Sequence, residues 1–248
     1  MMTDYLVFRL YGPMASWGDI AVGEVRPSFT YPSKSAVLGL IAAALRIDRD
    51  QEDQHRVLGT AYGFAVRVDS MGTPLVDYHT AQVPPSGSGR NRRTFATRRD
   101  ELCTLPKDKL NTILSRRDYR MDAISTVAIW ARVGAPPYAL REIQAALDRP
   151  GYVLYLGRKS CPLALPTEAK VIGAASLREA FAAAQFAEFD ALHHLKPSGT
   201  PALYWEDGAE AGIPSRHVFE RRDVPLSRRR WQFDVRQEHH APLDREEG

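Results

Sequence analysis

Gly151-Tyr152-Val153-Leu154-Tyr155-Leu156-Gly157-Arg158-Lys159-Ser160-Cys161-Pro162-Leu163 opens as a short apolar run and breaks at a glycine into two cations, a hydroxyl and Cys-Pro. The run Gly151 to Leu156 reads as a β-strand. Gly157 removes a Cβ, so a ligand can approach the backbone and φ can turn positive. Arg158 then offers a planar fork of donors and Lys159 a point charge. Ser160 adds a neutral donor, and Pro162 ends further pairing. The chemistry is that of a corner able to hold an anion, phosphate above all. The plainer alternative is a solvated basic turn.

Working back along the chain, Tyr5 to Tyr11 alternates, with Leu6, Phe8 and Leu10 on one side and Tyr5, Val7, Arg9 and Tyr11 on the other, as in a half-buried strand. Met14 to Tyr31 is a connection rich in rings, including Trp17, Phe29 and Tyr31. Such rings either anchor the loop by packing or stack on bases. Pro32-Ser33-Lys34-Ser35 opens a helix from about Ala36 to Leu45, and its N-terminus beside Lys34 is either a second phosphate seat or a simple cap. Tyr62 to Val68 is a second strand, Val127 to Val133 a third, and Tyr138 to Leu147 a second helix. With the opening run as the fourth strand, the order is β-α-β-β-α-β, an α+β chain of ferredoxin-like plan. On this plan Arg9, Arg67 and Arg132 share an uncovered face of the sheet.

The connection from Thr73 to Thr126 lacks sustained apolar periodicity and carries the flexible tip Pro84-Pro85-Ser86-Gly87-Ser88-Gly89. From Arg90 to Arg120, ten cations stand against Asp100, Glu101, Asp108 and Asp118, a net +6 where the whole chain carries +3. Residues 73–126 therefore read as an inserted basic arm reaching along a polyanion. Docking on an acidic protein, or a loose loop, are the alternatives. Beyond the corner, Ser176-Leu177-Arg178-Glu179 is a capping box opening a helix to about Phe186. Ala202 to Trp205 and Trp231 to Val235 resemble short strands, the arginines between them outnumber the acids, and the tail from His239 reads as loose. No linker separates a second domain, so residues 1–248 are expected to form a single unit bearing the arm.

The hydrophobic fraction of 44% and charged fraction of 25% are those of an ordinary globular protein and exclude general disorder. Six of the 33 basic residues are lysine. The arginine excess suits phosphate and base contact, although a GC-rich genome would also produce it. Cys103 and Cys161 make neither a metal site nor a disulfide framework, and no cofactor or metal is expected. Met1 to Leu10 is neither signal peptide nor membrane span, so the expected compartment is cytoplasmic, with no membrane partner. There is no Walker loop, Gly-x-Gly-x-x-Gly or His-Glu-x-x-His. His79 beside Tyr78 is the best general-base candidate. With Lys159 the pair would suit a metal-independent endoribonuclease activating a ribose hydroxyl, against a structural or base-stacking role.

Leu10-Tyr11-Gly12-Pro13-Met14, Trp17-Gly18, Arg26-Pro27, Pro32-Ser33-Lys34-Ser35-Ala36-Val37-Leu38-Gly39-Leu40, Asp77-Tyr78-His79-Thr80 and Tyr155 to Leu163 occur in an order that resembles the CasD family. These are the crRNA 5′-handle-binding subunits of the I-E Cascade complex in CRISPR interference. The resemblance extends from residue 5 to about 165. It implies an RRM-like palm with an inserted arginine-rich β-hairpin thumb, and a non-catalytic role clamping the crRNA 5′ handle. It also implies contact with the CasC backbone and the CasA large subunit, and with target DNA only through the complex. Gly157, Arg158, Lys159 and Ser160 would sit against the handle. Trp17, Arg26, Ser33, Lys34 and Ser35 would frame it, with Tyr78 and His79 at the root of the arm. Arg90, Arg92, Arg93, Arg98 and Arg99 would belong to the thumb. No RNP1-type aromatic run is present, which points to phosphates and splayed bases at loops rather than sheet stacking.

Overall fold

The computed structural model describes residues 2–19, 21, 23–85, 94–188, 192, 195 and 198–243. The chain begins with β1 (Thr3–Tyr11) and four two-residue strands, β2 (Met14–Ala15), β3 (Trp17–Gly18), β4 (Val25–Arg26) and β5 (Ser28–Phe29). Then come α1 (Lys34–Ala44), α2 (Glu52–Ala61), β6 (Tyr62–Ser70), β7 (Thr73–Val83), α3 (Arg98–Cys103) and β8 (Asn111–Met121). The remainder is β9 (Ile124–Ala131), α4 (Leu140–Asp148), β10 (Lys170–Ala174), α5 (Leu177–Ala183), β11 (Ala202–Glu206), β12 (His217–Ser227) and β13 (Gln232–Pro242). This is a mixed α/β fold around one large antiparallel sheet of seven strands, ordered β10-β1-β9-β6-β11-β13-β12.

Both faces of that sheet are covered. On one face Leu6, Phe8, Phe64, Val66, Val127 and Ile129 pack against Val37, Ile41, Leu58 and Ile143 from α1, α2 and α4. On the other, Tyr5, Val7, Ala65, Ala128, Trp130, Leu203 and Trp205 pack under Leu177, Ala180 and Phe181 of α5. This corrects the expectation of a half-buried β1 beside a bare, cationic face. Arg9, Arg67 and Arg132 do share the second face, but α5 and the coil around it cover it. Arg9 pairs with Glu168 at 2.5 Å, Arg67 pairs with Asp69 at 2.7 Å and donates to the Phe181 carbonyl at 3.1 Å, and Arg132 pairs with Glu206 at 3.0 Å.

The run Gly151 to Leu156 is not a strand. Gly151 and Tyr152 donate to the carbonyls of Ala44 and Ala43 at the end of α1, at 2.9 and 3.1 Å, and so need no sheet partner. Only Tyr155 forms a bridge, to Pro162. The edge position beside β1 is taken instead by β10. The C-terminal segment also departs from expectation. His239 lies in β13, paired with Trp205, where a loose tail was expected, and the short strand expected at Trp231 to Val235 overlaps β13, which forms a long hairpin with β12. Within 73–126, β7 and β8 pair from Thr73 opposite Met121 to Val83 opposite Asn111, with α3 beyond their far end. Of the expected flexible tip, Ser86 to Gly89 lie outside the described residues.

Candidate nucleic-acid interface

Residues 155–162 close a tight loop. Leu156 N donates to the Cys161 carbonyl at 2.7 Å, and Cys161 N to the Arg158 carbonyl at 2.9 Å. Leu154, Leu156 and Cys161 anchor it in the core, and burial pushes the Cys161 thiol up in pKa, leaving it neutral packing. Outside the loop, Ser16 N donates to the Leu156 carbonyl at 3.0 Å, and Ser16 Oγ to the Asp118 carbonyl of β8 at 3.0 Å. Gly157 bends at φ +84°, and a Cβ there would stand 1.9 Å from the Ser16 carbonyl oxygen. Glycine is therefore required twice over, by backbone angle and by the neighbouring chain.

The bend throws its polar residues outward against β4 and β8. Lys159 and Ser160 are exposed. The Arg158 guanidinium lies 4.7 Å from the centre of the Tyr119 ring, and its Nη2 donates to the Arg26 carbonyl at 3.1 Å. Its Nη1 is buried without a partner among the described residues. Arg26, exposed, curls back so that Nη1 donates to the Val25 carbonyl at 3.1 Å. β4 runs parallel to β8, placing Val25 beside Arg116 and Arg26 beside Arg117. Arg116 is held above its usual range by its hydrogen bond to Asp118, Nε to Oδ1 at 2.9 Å. Arg117 is exposed opposite Asp77. Arg26, Arg117 and Tyr119 share one face of the β4–β8 pair, where Arg158 packs on the ring with Lys159 exposed next to it, a group of cations suited to phosphate oxygens, whereas Arg116 leaves β8 on the other face with Asp118. Arg116, Arg117 and Tyr119 were not singled out in the sequence. Their signal was the dense basic tract itself, which does not show which members return to the corner.

Several expected contacts are elsewhere. Trp17 is 3% exposed and belongs to the core, so it stacks on no base. Ser33 caps α1, its Oγ accepting from Ala36 N at 3.2 Å, and Ser35 gives its carbonyl to Arg228 Nη2 at 2.6 Å. Lys34 is 1% exposed, with Nζ 2.8 and 3.0 Å from the two carboxylate oxygens of Glu206. Burial outweighs that partner and lowers the lysine pKa. The expected phosphate seat is already filled, because Asp223 Oδ2 accepts from Lys34 N at 2.8 Å. Asp223 in turn pairs with Arg236 at 2.7 Å and Arg221 at 3.4 Å. Glu238 accepts from both arginines and from Tyr31 Oη at 2.6 Å. Carboxylates of the C-terminal hairpin thus occupy the place expected for RNA.

Tyr78, 71% exposed, stands opposite Arg116 on the same face of the β7–β8 pair. His79 is the next residue and projects from the other face, opposite Ser115. The two side chains therefore do not converge on one atom, and the expected His79–Tyr78–Lys159 constellation is not assembled. Arg98 pairs with Glu101 and donates to the Gln82 carbonyl, bracing α3 on β7, while Arg99 is exposed. Arg90, Arg92 and Arg93 lie outside the described residues.

A family model described as CRISPR-associated protein (Cas_Cas5) matches residues 5–238. The "CRISPR system Cascade subunit CasD" of Escherichia coli (strain K12) is 35% identical over 173 residues, 66% of this chain and 70% of that protein. Among solved structures, a chain of a "CRISPR RNA-guided surveillance complex" is 26% identical with a TM-score of 0.63, over 96% of this chain and 89% of that one. A second, "Crystal structure of Cas protein", is 24% identical with a TM-score of 0.54, over 96% and 94% of the two chains, and speaks for the fold alone.

Proposed function

The chain belongs to the Cas5 family of CRISPR-associated proteins, and from that premise we propose that it is a non-catalytic RNA-binding subunit of a Cascade-type interference complex. It clamps the 5′ handle of the crRNA and caps the backbone assembly. The observation that carries this is the grouping of Arg26, Arg117, Arg158 and Lys159 at the bend at Gly157. Fixed cations beside a ring and a glycine backbone suit a bent single strand whose phosphates face the protein. The order β10-β1-β9-β6, with α1 and α4 in the connections, supports reading the sheet as an RRM-like palm within a single unit. The β7–β8 pair, with α3 and Arg98 and Arg99, is then the thumb inserted at residues 73–126. In the assembly the chain would touch the CasC backbone and the CasA large subunit, and target DNA only through base pairing by the guide. No helix among the described residues is long and apolar enough to cross a membrane, and a cytoplasmic ribonucleoprotein fits this role.

Binding of labelled handle RNA at several salt concentrations tests the clamp. Arg158→Ala with Lys159→Ala is expected to weaken binding by about 10- to 100-fold, as charged hydrogen bonds are lost. The slope of log affinity against log salt should become shallower by about 0.7 for each phosphate contact removed. Unchanged affinity and slope would remove the corner from the interface.

The rival function is a metal-independent endoribonuclease. Because Tyr78 and His79 leave opposite faces of their strand, repeat RNA incubated with the protein without metal is expected to stay intact on a denaturing gel. Specific cutting that vanishes in His79→Ala would establish the enzyme instead.

A further inference from the structure

The turn joining β12 to β13 carries Ser227-Arg228-Arg229-Arg230-Trp231, and the corner at Gly157 makes no use of it. Trp231 sits at φ +57° and is 59% exposed, a conformation and an exposure that a large ring rarely combines. The guanidinium of Arg49 stands 4.8 Å from its ring centre, and Phe233 meets it edge-on at 5.4 Å. The turn is pinned, because a Glu52 oxygen accepts from Ser227 Oγ at 2.6 Å and from Arg229 N at 2.7 Å. Those two bonds hold the Glu52 carboxyl below its usual range.

Arg228 points inward, lying 3.4 Å from where a Cβ of Gly39 would stand on α1. Its Nε is buried without a partner, and among the described residues Arg228, Arg229 and Arg230 make no ion pair. Burial and then repulsion from Arg49 bring the Arg228 guanidinium down to about 10. The nearby carboxylates are spoken for: Glu52 by the turn, and Asp48 by Tyr152 Oη at 2.7 Å. Tyr155, 37% exposed in the corner loop, lies within electrostatic reach of Arg228.

We propose that the β12–β13 turn is a second seat for the same single-stranded RNA. Phosphates would lie on Arg229 and Arg230, backed by Arg49 and Arg228, with a base on the exposed Trp231 ring. This rests on the clamp described under the proposed function and extends it to the C-terminal hairpin. A polynucleotide suits the cations and the ring together, its phosphates on the one and a base on the other.

The test measures binding of full-length protein to handle RNA, across a salt series, in three variants. Trp231→Ala is expected to weaken binding roughly 5- to 150-fold, the loss of one stacked base, with the salt slope unchanged, and Trp231→Phe to recover most of it. Arg229→Ala with Arg230→Ala is expected to weaken binding and reduce the salt slope by about 0.7 for each phosphate released. These positions are exposed, so thermal unfolding should match the parent. Arg158→Ala with Lys159→Ala runs in parallel. If that pair loses RNA while the turn variants bind as the parent does, the second seat is wrong and the corner stands. If the turn variants lose RNA while the corner pair does not, the second seat stands and the corner fails. Turn variants that keep RNA but fail to join their protein neighbours overturn the second seat in favour of an acidic partner surface. A parent chain that binds no single-stranded RNA overturns both.

Discussion

Glu238→Ala is expected to lower the unfolding temperature by about 6–20 °C, measured by circular dichroism on heating. Glu238 is 1% exposed and accepts from Arg221, Arg236 and Tyr31. Around it, Lys34, Arg132, Arg221 and Arg236 face Glu206, Asp223 and Glu238. Truncating Glu238 leaves four cations facing two carboxylates, and three of those cations are at least nine-tenths buried by side-chain exposure. Breaking a buried pair from one side costs about 3–5 kcal/mol, because the remaining charge stays desolvated. For a chain of this length each kcal/mol is worth about 2–4 °C. Asp53→Ala is the contrast. Its pair with Arg56 is solvent-exposed, with the Asp53 side chain 87% exposed, and should be worth under about 1 kcal/mol. Glu238→Gln keeps the shape while removing the charge and should fall between the two. A Glu238→Ala protein that unfolds within a degree or two of the parent would mean that the C-terminal hairpin is not held by this network.

That network also explains what the sequence hid. Arg221, Arg236, Asp223 and Glu238 look like the charges of a solvated loop when taken in order. They face inward because each meets its opposite across a strand pair, a relation that local periodicity does not encode. The same network withdrew Lys34, since the carboxylate that fills the α1 terminus lies 189 residues away. α2 was missed for a related reason: only His55, Leu58, Gly59 and Ala61 are buried in it, too few to stand out. Signals that depend only on neighbours were legible. Ser33 and Ser176 cap their helices as the sequence suggests, and β1, β6 and β9 lie close to their apolar alternations.

The corner shows the two kinds of information side by side. Its apolar run reads as a strand, but the partner of its backbone was not legible, because the carbonyls at the end of α1 serve as well as a strand would. Burial even alternates from Val153, 82% exposed, through Leu154 and Tyr155 to Leu156, so the pattern alone could not tell this segment from a strand. Trp17 followed the same logic in reverse. It sits in a connection, yet the short pairing of β3 with β5 folds that connection onto the core.

Gly157→Ala is therefore expected to act on RNA binding as strongly as removal of the cations themselves, although it removes no charge. The added Cβ would meet the Ser16 carbonyl oxygen at 1.9 Å, a backbone atom that cannot rotate away. The φ of +84° adds a left-handed cost of roughly 1–2 kcal/mol for a residue with a Cβ. The cheapest relief is for the loop to lift from Ser16, giving up the 3.0 Å bond from Ser16 N to the Leu156 carbonyl. Arg158 then leaves the Tyr119 ring and the Arg26 carbonyl, and the array disperses. Handle affinity should fall by about 10- to 100-fold, the scale of lost charged hydrogen bonds. Gly18→Ala serves as the control, because no neighbouring atom lies within 4 Å of where its methyl carbon would stand and the β3 pairing is kept. It should bind RNA as the parent does. Parent-like binding by Gly157→Ala would show that the position of Arg158 over Tyr119 is incidental, and that the cations act as a diffuse field rather than a shaped clamp.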